Sequence, residues 1–102
     1  MSRTVLITGA GGFIGSCLWR RLASRGERLV ELPTRLPDDG LPALLARERP
    51  DVVVHCAGGS SVSASYERPE RDFHDNVIAT EALLAAVAGM PGWRVVVSTT
   101  TA

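Results

Sequence analysis

Glycines 9, 12 and 15 stand in Thr8-Gly9-Ala10-Gly11-Gly12-Phe13-Ile14-Gly15, directly after the apolar run Val5-Leu6-Ile7. A buried-type strand stops, glycines turn the chain, and an amphipathic helix begins. That order suits the pyrophosphate of a dinucleotide. Gly9 permits a tight turn at the strand end. Gly12 lets backbone approach a phosphate with no Cβ between them, and Gly15 lets the helix pack closely on the sheet. The unpaired amides at the helix start, with their partial positive charge, favour an anion. The spacing is Gly-x-x-Gly-x-x-Gly. The commoner Gly-x-Gly-x-x-Gly would need a glycine where Ile14 stands. A glycine-rich turn without a ligand is the competing reading. The ordered strand, turn and helix argue against it.

The elements that must hold this loop follow from periodicity. Arg3 to Ile7 reads as the first strand. Residues 13 to 24 read as a helix with Ile14, Leu18 and Leu22 on one face and Cys17 beside them. Gly26 is a C-cap candidate. Arg28 to Leu32 reads as a second strand, and Pro33, Pro37 and Pro42 punctuate the loop after it. Leu41 to Arg49 reads as a short helix. Val52-Val53-Val54-His55 is a β-branched run suited to a strand covered on both faces, and Ala57 to Ser61 is its exit loop. Pro69 to Ala88 reads as a long helix with Phe73, Val77, Thr80, Leu84 and Val87 inside. Gly89 to Gly92 break it, and Arg94 to Ser98 is a further strand. Strands alternating with helices predict an α/β fold, a Rossmann-type doubly wound parallel sheet. In such sheets ligands sit beyond the carboxyl ends of the strands. Three strand ends therefore matter: residues 9 to 12, 57 to 61 and 98 to 101.

Composition narrows the classes. At 102 residues the chain holds one domain at most. Eleven basic residues, all arginine, balance eleven acidic ones. No electrostatic footprint therefore argues for nucleic acid or an anionic membrane. No apolar run approaches the ~20 residues of a membrane helix. The chain enters a strand almost at once, so no signal peptide is expected. Cys17 and Cys56 read as free core thiols, with neither a disulfide frame nor a metal site, which fits a reduced cytoplasm. His55 reads as a satisfied core histidine ending a buried strand, and His74 as an exposed helix residue. The charges from Glu67 to Asp72 read as a solvated helix start, with Pro69 in its first turn.

These motifs together resemble the extended short-chain dehydrogenase/reductases of the epimerase and dehydratase type. The carriers are the glycine loop at residues 8 to 15 and the strand Asp51-Val52-Val53-Val54-His55-Cys56-Ala57-Gly58. Val62, Ser65, Pro69, Asn76, Val77 and Thr80 follow at the family's spacing, and Val95-Val96-Val97-Ser98-Thr99-Thr100 completes the set. The resemblance implies an incomplete Rossmann-type sheet, an NAD or NADP cofactor and a small-molecule substrate, a nucleotide sugar. Gly9, Gly12, Phe13, Ile14 and Gly15 would hold the pyrophosphate. Ala57, Gly58 and Gly59 would pass beside the ribose and nicotinamide, and Asn76 would brace residues 55 to 58. Thr100 would stand where the catalytic hydroxyl meets the substrate oxygen, with Thr99 the alternative. Dimerisation through a helix matching residues 69 to 88 is a further implication, by analogy.

Two departures from the family pattern bear on function. The place of the acidic residue for the adenosine ribose falls near Pro33, where no carboxylate stands. Arg35 nearby would meet a 2′-phosphate and favour NADP; as a solvated loop charge it would mean nothing. Glu31 is the nearest upstream carboxylate. Asp38 either fills an adenine-side acidic position or caps the helix starting near Leu41. The second departure concerns the family's Tyr-x-x-x-Lys pair. The one tyrosine is Tyr66, read as a packing or substrate-rim residue, and lysine is absent. A phenol with pKa near 10 needs a nearby cation to act as a base near neutral pH. The expectation is a cofactor-binding domain over residues 1 to 102 that stops before the catalytic pair and is inactive alone. A non-catalytic NAD(P)-binding regulator and a truncation product with no activity are the alternatives.

Overall fold

A computed structural model describes residues 3–32, 40–56, 67–90, 92 and 94–97. Strand β1 (Thr4–Thr8) leads through the glycine loop into helix α1 (Phe13–Ser24), followed by β2 (Arg28–Glu31), α2 (Leu41–Glu48) and β3 (Val52–His55). The long helix comes in three continuous parts: α3 (Pro69–Phe73), a π-helical segment (His74–Ile78) and α4 (Ala79–Ala88). Strand β4 (Val95–Val97) follows. Element boundaries lie within a residue of those expected from sequence.

The four strands run parallel in the order β2-β1-β3-β4. From β1 the chain steps outward to β2, then returns past β1 to β3. The strand order therefore reverses at the β1–β3 junction, and Thr8 and His55 are register partners at its carboxyl end. The opposite end is tied by other bonds. Asp51 accepts from the Thr4 amide at 2.8 Å, and its own amide donates to the Thr4 carbonyl at 2.8 Å. Glu27 accepts from the Arg3 amide at 2.8 Å. Arg28 of β2 pairs with Glu48 at the end of α2, and that guanidinium holds the Glu48 carboxyl below its ordinary range.

One apolar cluster joins the sheet to α2 and α4. Leu6 and Val53 from the strands meet Leu32, Leu41, Leu44, Leu45, Ala79, Leu83 and Val87. No residue of α1 belongs to it; α1 lies against β1 and β2. Strand alternation turns the buried Val5 and Ile7 away from Leu6, to the other face. Helix α1 closes with a left-handed Gly26 (φ 79°). The Gly26 amide donates to the Ala23 carbonyl and that of Glu27 to the Leu22 carbonyl. This paired arrangement satisfies the last carbonyls of the helix and confirms the C-cap expected there.

Three side-chain expectations are corrected. Cys17 is exposed on α1, where the Arg20 guanidinium donates to its sulfur at 3.5 Å, and only Cys56 is partly buried. Ile14 is also exposed, so the inner face of α1 runs from the buried Gly15 through the half-buried Leu18 and Leu22. On the long helix the buried residues are Ala79, Leu83 and Val87, while Phe73, Val77 and Leu84 are exposed. The expected stripe assumed a uniform advance of 100° per residue. The π-helical segment breaks that advance. Beyond it, Leu83-Leu84-Ala85-Ala86-Val87 offers several apolar stripes of equal quality, so periodicity alone does not choose among them.

Candidate functional site

The site is built at the end of β1. Gly9 adopts φ 71°, which side chains rarely tolerate, and swings its carbonyl back over the loop. That carbonyl accepts the Gly12 amide at 3.0 Å. It also abuts Gly15: a Cβ there would overlap the Gly9 carbonyl oxygen outright and stand 2.9 Å from its carbon. Only glycine lets α1 start this close to the strand end. Gly12 caps the helix in extended backbone (φ −81°, ψ 177°) and offers no side chain as a cap. Ser16 is the first residue whose amide bonds back, to the Gly12 carbonyl at 2.9 Å. The amides of Phe13, Ile14 and Gly15 therefore precede the helix ladder. No acidic residue stands in that first turn. The helix start has donors and positive dipole but no anion of its own.

Among the described residues, a Cβ on Gly11 would meet nothing within 4 Å, and one on Gly12 only the Gly9 carbonyl at 3.4 Å. Phe13 is 86% exposed and Ile14 45%. Two large apolar side chains thus stand exposed at the uncapped helix start. Among the described residues the loop fits a pyrophosphate: it has donors, room and no carboxylate in the helix's first turn.

Behind the loop lies a buried polar chain. His55 Nδ1 and Thr8 Oγ1 are 2.6 Å apart, and His55 Nε2 and Thr80 Oγ1 are 2.9 Å apart. The ring is 2% exposed. Burial lowers the His55 pKa below its ordinary value, so the imidazole is neutral. With one ring N–H and one lone pair, it donates to one threonine and accepts from the other. This is the satisfied core histidine expected from the sequence. Its partners Thr8 and Thr80 were not singled out for it. The signal was present in the pairing of β1 with β3, because two strands that end at adjacent loops bring their last residues side by side. Cys56 follows His55; its amide donates to the Thr8 carbonyl at 3.1 Å, and burial raises its thiol pKa.

Of the expected site residues, Gly9, Gly12, Phe13, Ile14 and Gly15 come together in this loop. Arg35, Asp38, Ala57, Gly58, Gly59, Thr99, Thr100 and Tyr66 lie outside the described residues. Asn76 lies in the π-helical segment, and Thr80, one turn later, reaches His55. No helix among the described residues is long and apolar enough to cross a membrane.

A parallel sheet that reverses order beside a glycine loop defines the class of doubly wound nucleotide-binding domains. The sequence profile of the NAD dependent epimerase/dehydratase family matches residues 5–102, and the chain belongs to that family. The UDP-glucose 4-epimerase of Mycolicibacterium smegmatis is 34% identical, over 92% of this chain and 37% of the relative. The dTDP-6-deoxy-L-talose 4-dehydrogenase (NAD(P)(+)) of Kitasatospora kifunensis is also 34% identical, over 84% of this chain and 31% of the relative. Among solved structures, UDP-glucose 4-epimerase from Brucella ovis in complex with NAD superposes with a TM-score of 0.89. It is 26% identical, over 96% of this chain and 36% of that one. The chain spans about a third of the length of the curated relatives it matches.

Proposed function

We propose that residues 1 to 102 form the nicotinamide-dinucleotide-binding portion of an epimerase, dehydratase or reductase acting on a nucleotide sugar. The observation that carries this is the loop itself: a helix start at the sheet's switch point with no side-chain cap, no acidic residue in its first turn, and amides that precede the helix ladder. Gly9, Gly12, Phe13, Ile14 and Gly15 cradle the pyrophosphate, and residues 57 to 59 run beside the nicotinamide ribose. When bound, the nicotinamide supplies hydride transfer to or from a substrate carbon. Thr100 orients the substrate oxygen. The stretch contains no lysine, so the Tyr-x-x-x-Lys pair is not part of its contribution. Relatives that act on UDP-glucose and on a dTDP-deoxysugar support the substrate class.

Three finer readings belong to the same proposal. NADP is preferred over NAD, because Arg35 pairs with a 2′-phosphate. The protein works in the cytoplasm, in keeping with two free thiols, which cell fractionation tests. It forms a homodimer through the exposed Phe73, Val77 and Leu84, which light scattering of the purified chain tests. Calorimetric titration with NAD and NADP tests the main proposal. Binding of either supports it, and no binding of either at millimolar concentration sinks it. A charge-assisted pair contributes about 1.5–3 kcal/mol. Arg35→Ala is therefore expected to lower NADP affinity at least tenfold and leave NAD affinity alone. An unchanged NADP/NAD ratio would remove the Arg35 assignment.

A further inference from the structure

We propose that Thr80 is a positioning residue for the glycine loop, acting through His55 and Thr8; for nucleotide affinity this rests on the reading of that loop given above. The chain of contacts is continuous. Thr80 on α4 meets His55 Nε2 at 2.9 Å, and His55 Nδ1 meets Thr8 Oγ1 at 2.6 Å. The next residue is Gly9. Its carbonyl holds the Gly12 amide at 3.0 Å and leaves no room for a Cβ on Gly15. The loop therefore has little slack at the point where Thr8 delivers it. A change in the orientation of Thr8 passes to the Gly9 carbonyl, and from there to the helix start.

The chain also needs hydroxyls at both ends. A neutral imidazole donates from one nitrogen and accepts at the other. Each threonine must therefore complement the nitrogen it faces, and a methyl in place of either oxygen orphans a buried ring nitrogen. The 2% exposure of His55 leaves little access for water to replace the lost partner. The ring's remaining response is to turn, and turning it moves Thr8. Thr80 sits just past the π-helical segment. The widened turn sets the rotation of α4 and so aims Thr80 at the ring while Ala79 and Leu83 enter the apolar cluster. The helix after β3 and the loop after β1, far apart in sequence, are thereby mechanically joined at the switch point.

The test compares Thr80→Val and Thr80→Ala with the conservative Thr80→Ser, in the intact 102-residue chain. Three readouts are used: melting temperature, amide resonances of Gly9 and Gly12 without ligand, and NAD affinity by calorimetry. Nitrogen resonances of the His55 ring report whether its tautomer balance has changed. Thr80→Val is expected to shift the Gly9 and Gly12 amides and to weaken NAD binding roughly five- to tenfold, the loss of one hydrogen bond's worth of positioning. Thr80→Ser is expected to restore both. Should the valine variant fail to fold, the alanine variant carries the same expectation with less steric change. A lowered melting temperature, with amide positions and affinity as in the parent, would reduce Thr80 to a structural role and overturn the proposal. Amides that respond to Thr80 in a parent chain that binds no NAD would leave the coupling standing while removing the nucleotide reading.

Discussion

Gly12 and Gly15 stand three residues apart in one motif, yet their surroundings give them different duties. A Cβ at Gly12 makes an ordinary contact, 3.4 Å from the Gly9 carbonyl, and its backbone suits any residue. A Cβ at Gly15 would overlap the backbone of Gly9. Gly12→Val is therefore expected to melt within about 1 kcal/mol of the parent, while its methyl groups occupy the phosphate's approach and cut nucleotide affinity by tenfold or more. Gly15→Ala is expected to cost about 3 kcal/mol or more, because helix and strand end must separate. Thermal melts and calorimetry on the two variants separate these outcomes. A destabilised Gly12→Val with normal affinity, or an unperturbed Gly15→Ala, would reverse the assignment. The close packing at Gly15 was legible from residue type and order alone. The part played by Thr8 was not, since a threonine before a glycine carries no sign of its partner until β3 is laid beside β1.

At the scale of elements, β1, β3 and α4 meet at one buried imidazole. Its ordinary pKa is 6.5, which the unfolded chain keeps, and burial lowers the folded value. The folded state thus favours the neutral ring. Its contribution is fully present above about pH 6.5 and is lost as pH falls through the lowered folded value. Glu48, held low by Arg28, likewise loses its contribution as pH falls, but over a separate range that starts at 4.5 and runs downward. Between about pH 6.5 and 4.5 the loss of stability is therefore expected to come from His55. Melting curves from pH 8 to pH 5 should show a fall in midpoint that begins near 6.5, and His55→Gln should flatten it. A parent midpoint constant down to pH 5 would contradict the buried neutral ring.

Strand and helix positions were legible in the sequence because the β-branched runs and glycine breaks are strong signals. The inner face of the long helix was not. Its apolar residues crowd consecutive positions from Leu83 to Val87, and the π-helical segment alters the rotation between Phe73 and Ala79. Neither can be resolved by counting periods. Cys17 was misplaced for a related reason: α1 buries little, with Gly15 its one fully buried residue, so an apolar-looking position there need not be inside.

Across the whole molecule the two ends of the sheet are built differently. The end at Thr4, Glu27 and Asp51 is closed by backbone-to-carboxylate bonds, each 2.8 Å long. The end at Thr8 and His55 opens into the glycine loop, whose helix start carries no side-chain cap and no acidic residue in its first turn. A dinucleotide site belongs at the second end and has no place at the first. The most direct test is amide shift mapping of the 102-residue chain during titration with NAD. The largest movements are expected at Gly9, Gly11, Gly12, Phe13, Ile14 and Cys56, with Thr4, Glu27 and Asp51 unmoved. Movements concentrated at Thr4, Glu27 and Asp51, or none at saturating NAD, would contradict a nucleotide site at the glycine loop.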